Sequence, residues 1–107
     1  MTEQPDKRIL RTLSKESEVA NAPDFMFWCP ACKCGHGVWV EGPCRTGAQW
    51  KFNGNMEKPS FHPSLKIEFN REGKDMVCHL VVTDGVLNYC GDSTHELAGQ
   101  SIPMEPF

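Results

Sequence analysis

The stretch Cys29-Pro-Ala-Cys32-Lys-Cys34-Gly-His36 puts three thiols and an imidazole into eight residues, and Cys44 follows eight residues later. Two thiolates separated by two residues can bind one tetrahedral zinc ion while the backbone between them turns back on itself. Such a knuckle supplies two or three ligands, so the shell has to be completed from elsewhere. Cys78, His79, Cys90, His62 and His95 are the available donors, and His36 is open as ligand or bystander. The competing account is a set of thiols buried as small hydrophobes, but three cysteines in six residues cannot all point into one core. The spacing therefore reads as a metal site.

Signals for other chemistry are thinner. His62-Pro63-Ser64 places a hydroxyl beside an imidazole, which can serve as nucleophile and base, yet no third, orienting group is evident nearby. Cys44, between Pro43 and Arg45, has the electropositive flank of a reactive thiol, though a loop cysteine without a role is the plainer reading. His95-Glu96-Leu97-Ala98 begins like the metalloprotease helix His-Glu-x-x-His, but Gly99 stands where the second histidine is required. Glu96 fits better as a helix-cap partner of Ser93.

The chain around these residues is small. Its 107 residues fit one domain with a modest core. The expected organisation is a weakly ordered segment over residues 1–22 and a single zinc-stapled domain over residues 23–107. Met1 to Ser17 carries charges of both signs and no apolar run, unlike an export signal, and no segment is apolar enough to span a bilayer. Six cysteines in such a chain point to a reducing, cytoplasmic compartment, the host cytoplasm if the gene is carried by a phage. The net charge is −3 and the basic residues are scattered, which argues against nucleic acid as a partner.

The elements that must position these side chains read mainly as strands. Phe25 to Trp28 is apolar and leads into the knuckle, and Gly37 to Glu41 and Gln49 to Phe52 read as short strands. Arg8 to Val19 is ambiguous between a short helix and an edge strand over Arg8 to Leu13. Ser64 to Asn70 alternates polar and apolar, the period-2 mark of a half-buried strand. Met76 to Thr83 and Val86 to Cys90 flank Asp84-Gly85, a strong two-residue hairpin turn. Carried through that turn, the register pairs Thr83 with Val86, Val81 with Asn88 and His79 with Cys90. A loop at 71–74 pairs Asn70 with Asp75 and Ile67 with Cys78. One face then carries Leu65, Ile67, Phe69, Met76, Cys78, Leu80, Val82, Leu87 and Tyr89 as core, and the other carries Ser64, Lys66, Glu68, His79, Val81 and Cys90. Cys78 and His79 reach one metal only if a bulge intervenes. Residues 92–99 predict a helical turn or two, with Ser93 and Glu96 as a capping box and Gly99 as the stop. The fold class is a mainly β, small α+β domain: an antiparallel meander with a zinc knuckle and a short C-terminal helix.

The order of these pieces resembles a family of small, uncharacterised phage and bacterial proteins, Cys/His-rich and zinc-binding, often mislabelled ammonia monooxygenase. The resemblance rests on the knuckle Cys29 to Gly35, on Trp50 with Pro59-Ser-Phe-His-Pro63-Ser-Leu65, on Cys78-His79-Leu-Val-Val-Thr-Asp84-Gly85, and on Asp92-Ser-Thr-His95-Glu-Leu-Ala-Gly-Gln100. It implies zinc, and a bulge that lets Cys78 join His79 and the knuckle thiols Cys29, Cys32 and Cys34 at one metal. Some larger relatives lie beside bacterial ubiquitin-like conjugation genes, which implies a peptidase role.

Two functions follow. The first is a zinc-stabilised binding module, a phage accessory or host-modulating protein with a protein partner and no role at nucleic acid or membrane. The second is a zinc-dependent hydrolase, a peptidase with an open metal position, for which the sequence offers no obvious general base. His62 and Ser64 are the catalytic candidates, and whether the chain is an enzyme stays open at this stage.

Overall fold

The computed structural model describes residues 9–12, 22–42 and 47–107, which form two antiparallel sheets. The first has the order β1 (Arg11–Thr12), β2 (Phe25–Cys29) and β3 (Cys34–Val38). The second runs β4 (Lys51–Phe52), β5 (Phe61–Arg71), β6 (Lys74–Thr83), β7 (Val86–Tyr89) and β8 (Ser101–Pro103). Within the segment expected to be weakly ordered, Leu10 is buried and Arg11 and Thr12 pair with Met26 and Phe25.

The knuckle is the turn of a β-hairpin. Phe25 to Cys29 pairs in register with Val38 to Cys34, and the turn closes with the Lys33 N–H donating to the Cys29 carbonyl at 2.7 Å. Lys33 takes the left-handed conformation there (φ 57°). Gly35 in β3 has no room for a side chain, because a Cβ would lie 2.6 Å from the ring of Phe107, which packs edge-on against Trp28.

In the second sheet, two turns set the register. Asp84-Gly85 closes β6 onto β7 with Thr83 opposite Val86 and Val81 opposite Asn88. Glu72-Gly73 closes β5 onto β6, with Asn70 opposite Asp75 and Ile67 opposite Cys78. Period-2 alternation then buries Leu65, Cys78, Leu80, Val82, Leu87 and Tyr89 on one face, while Ile67 and Phe69 pack partly buried against them. That face meets Phe27, Cys29 and Val38 of the first sheet in one core, and Phe25, Phe52 and Phe61 stack across the join.

Two expectations are corrected. The helix over residues 92–99 is absent; the segment is a series of turns. Ser93 does not cap a helix, because its hydroxyl accepts from the His79 N–H at 3.0 Å and donates to the His79 carbonyl at 2.9 Å. Thr94 exchanges two backbone-directed hydrogen bonds with Val77 in the same way. Both residues thus complete the edge of β6 beyond the end of β7, and that commitment forbids a helical start. The fold is all-β among the described residues. The irregularity of the ladder also falls elsewhere than expected: β6 is regular at Cys78-His79, and the bulge lies in β5 between Phe61 and Leu65, around a cis His62-Pro63 bond. No helix among the described residues is long and apolar enough to cross a membrane.

Candidate functional site

The inner and outer faces of β6 each carry a cluster, and the alternation of a strand is what separates them. On the inner face, Cys29 at the end of β2, Cys32 in the hairpin turn, His36 in β3 and Cys78 in β6 bring their donor atoms within 4.8 Å of one another, all four residues buried. The Cys29 and Cys78 sulfurs are 3.9 Å apart. Two thiolates on one tetrahedral zinc, each about 2.3 Å from it, stand roughly 3.8 Å apart. His36 Nε2 is buried with no hydrogen-bond partner, a costly state for a polar atom unless it is a ligand. The Cys32 N–H and the Tyr89 hydroxyl approach Cys29 Sγ at 3.4 and 3.1 Å, the supporting contacts that a metal-bound thiolate recruits.

The electrostatics of the cluster are compatible with a cation held there. Cys29 is pulled down to about 3, chiefly by the hydrogen bond from Cys78, with His36, Tyr89 and the Cys32 N–H helping against the opposing effect of burial. Cys32 is pushed up to about 12 by burial and then by the charge on Cys29. Cys78 is pushed up as the donor to Cys29 and by burial. Without a positive ion, one thiol ionises at the expense of the others. A divalent ion lets all three ionise. Three sulfurs and one imidazole form a donor set suited to zinc in a closed site.

On the outer face, the His79 ring is held from both sides. Its Nδ1 lies 2.9 and 3.0 Å from the two carboxylate oxygens of Asp92, and its Nε2 lies 3.0 Å from Ser64 Oγ. Each partner is delivered by a different piece of backbone. Ser64 lies in the irregular stretch of β5 between Phe61 and Leu65, one position before Leu65 returns to the core and two before Lys66, which pairs with His79. Asp92 is brought in by the turn after β7, fixed when the Cys90 N–H donates to the His79 carbonyl at 2.7 Å and Ser93 clamps the same residue. The hydrogen bond to His79 holds the Asp92 carboxyl below the usual carboxylate range, although its side chain is 56% exposed. It remains an anion at neutral pH. Such a line of hydroxyl, imidazole and carboxylate is one that can serve chemically as nucleophile, base and orienting group.

The structure distributes the residues singled out from the sequence as follows. Cys29, Cys32 and Cys78 come together, with His36 as the fourth donor. Cys34 pairs with Cys29 across the hairpin but stands outside the group, half-buried. His79 faces away from the thiols and meets Ser64 instead. His62 pairs with Lys51 at the edge and is exposed. Cys90 lies with His79 and Asp92 in a second, more open group. His95 packs edge-on against Tyr89, and its Nε2 is buried without a hydrogen-bond partner. Cys44 lies outside the described residues. Asp92 escaped the sequence reading, because the ladder does not run on past Cys90: the chain turns at residues 91–92, and it is Thr94 that bonds Val77, which leaves Asp92 beside the imidazole.

The described residues thus define an all-β chain with a hydrogen-bonded Ser64, His79 and Asp92 on one face of a strand and a Cys/His group on the other. In a comparison with protein families, residues 2–90 match the family described as bacterial ubiquitination-like system serine protease (BubE). The chain belongs to the BubE family. No curated protein and no solved structure matches it. The match carries no indication of a phage role or of ammonia monooxygenase.

Proposed function

We propose that the chain is a serine protease of a bacterial ubiquitination-like system, with Ser64 as nucleophile, His79 as general base and Asp92 as its orienting partner. The observation that carries this reading is the two-sided hydrogen bonding of His79, to Ser64 Oγ at 3.0 Å and to both Asp92 oxygens. In the acylation step Ser64 Oγ attacks the carbonyl carbon of the scissile bond and its proton passes to His79 Nε2. The departing amine or alcohol takes that proton as the bond breaks, leaving an acyl-Ser64 ester. Water then repeats the sequence, giving its proton to Nε2 and releasing the acid as Ser64 regains its hydrogen. Asp92 keeps Nδ1 protonated, so Nε2 has a free lone pair, and stabilises the imidazolium between steps.

The Cys29, Cys32, His36 and Cys78 cluster has a different role in this reading. Zinc held by these four residues would supply structural cross-linking between the two sheets. The peptidase function is thereby kept, and the active hydroxyl moves from a metal-bound water to Ser64.

Labelling with a fluorophosphonate probe tests the assignment. Wild-type protein is expected to take up one equivalent on Ser64, located by peptide mass spectrometry, and Ser64→Ala to take up none while retaining its metal content and melting temperature. Equal labelling of the two proteins refutes the triad.

A further inference from the structure

Ser64 lies on a strand whose outer edge is, among the described residues, paired only at Phe61 and His62. The register determines which backbone groups that edge presents. The two-residue turn at Glu72-Gly73 makes Arg71 and Lys74 a mutually hydrogen-bonded pair, and in an antiparallel ladder the pattern repeats at Phe69 with Met76, Ile67 with Cys78 and Leu65 with Leu80. The alternate residues of β6 turn the other way: the His79 carbonyl accepts from the Cys90 N–H, and Val77 exchanges hydrogen bonds with Thr94. Lys66 and Glu68, opposite these two, and Asn70 in the same phase therefore aim their N–H and C=O groups out of the sheet. Ser64 lies in the irregular stretch before Leu65, and its carbonyl accepts from the indole N–H of Trp50, the residue before β4 on that outer side, at 3.2 Å. Among the described residues nothing bonds the outward groups of Lys66, Glu68 and Asn70, and all three residues are exposed.

We infer that this edge is the substrate-binding site: the extended peptide segment preceding the scissile bond adds to β5 as an antiparallel strand along Asn70, Glu68 and Lys66, its C-terminal end arriving at Ser64. The inference rests on reading Ser64, His79 and Asp92 as the triad. Direction follows from topology. A strand antiparallel to β5 runs from Asn70 toward Ser64, and every pairing already in this sheet is antiparallel. The end point follows from β4, which covers the same edge only at Phe61 and His62 and is entered through Trp50. An added strand is stopped there and has to leave the edge beside the nucleophile, next to an open depression lined by Val40, Gln49, Trp50, Lys51 and Phe52. An edge of this kind is a ready template for strand addition, and the charged side chains of Lys66 and Glu68 guard it against indiscriminate pairing.

Backbone methylation supplies the test. A pool of acetylated pentapeptidyl aminocoumarin amides is compared with pools N-methylated at one residue at a time, using wild-type protein. Strand addition predicts a period of two: kcat/KM falls at least tenfold when alternate amides are methylated and stays within about threefold when the amides between them are. A uniform loss, no loss, or no cleavage of the parent pool by a protein that hydrolyses p-nitrophenyl acetate through Ser64 overturns the inference. A second measurement uses Glu68→Pro, which removes an outward N–H without touching the β5–β6 ladder, as edge strands allow. The ratio of peptide to p-nitrophenyl acetate kcat/KM is expected to drop at least tenfold, and an unchanged ratio counts against the edge. If Ser64→Ala hydrolyses the ester as fast as wild type, the triad itself has failed, which is a separate result.

Discussion

His79 is a residue whose neighbours decide its role. As one imidazole among six cysteines it reads as a ligand, and only the direction of its side chain separates ligand from base. Strand alternation made half of that visible: with Leu65 and Cys78 inward, Ser64 and His79 fall together on the outer face. Asp92 stayed hidden because Asp92-Ser93-Thr94 also has the composition of a helix start, and local propensity cannot register that Ser93 bonds the backbone of His79 instead. The Asp92 carboxylate, held below its usual range by the imidazole, is ionised wherever the base is useful. Asp92→Asn replaces it with a group that can donate to Nδ1, which moves the ring proton to Nε2 and blocks proton acceptance from Ser64. Acyl transfer by this variant is expected to fall on the order of 10³–10⁴-fold in kcat with KM little changed. Retention of more than a tenth of the wild-type kcat refutes the orienting role.

At the scale of elements, the two hairpins around β6 were legible because their turns are spelled out in sequence: Asp84-Gly85 and Glu72-Gly73 place residues of positive φ where the register needs them. The hairpin built on the knuckle was only half legible: Gly37 to Glu41 read as a strand, but Gly35 and Gly37 hide that it begins at Cys34 and pairs back onto Phe25 to Cys29. That hairpin changes the ligand set. Cys34 sits opposite Cys29 at its mouth, and two positions further along β3 the imidazole of His36 reaches the thiols. The proposed set Cys29, Cys32, His36 and Cys78 therefore makes a distinguishing prediction. Cys34→Ser should keep one zinc per chain and lose under about 1 kcal/mol of stability, as a half-buried position outside the shell does. Cys32→Ser and His36→Ala should purify with little or no zinc and melt far lower. Elemental analysis alongside thermal unfolding decides, and zinc loss in Cys34→Ser would move the fourth ligand from His36 to Cys34.

Across the whole molecule, the metal cluster and the triad are separated by the thickness of one strand. Cys29, Cys32 and His36 come from the first hairpin and Cys78 from the second sheet, so an ion held there would tie the sheets together through residue 78, while the proposed chemistry belongs to residue 79 on the far side. A core of this size is thin, and a structural zinc contributes on the order of 10 kcal/mol of apparent binding free energy coupled to folding. Chelation should therefore abolish activity in both a zinc hydrolase and a serine hydrolase, and loss of activity alone does not separate them. Metal exchange does. If the ion only cross-links, cadmium, which thiolates bind well, should restore folding and bring kcat back to within about twofold of the zinc protein, with fluorophosphonate uptake at Ser64 recovering in step. If the ion activates water, its identity enters the chemical step: kcat should change many-fold on exchange and Ser64 labelling should not track activity. The closed four-residue shell on the buried face, set against an imidazole shared by a serine and a carboxylate on the open one, makes the first outcome the expected one.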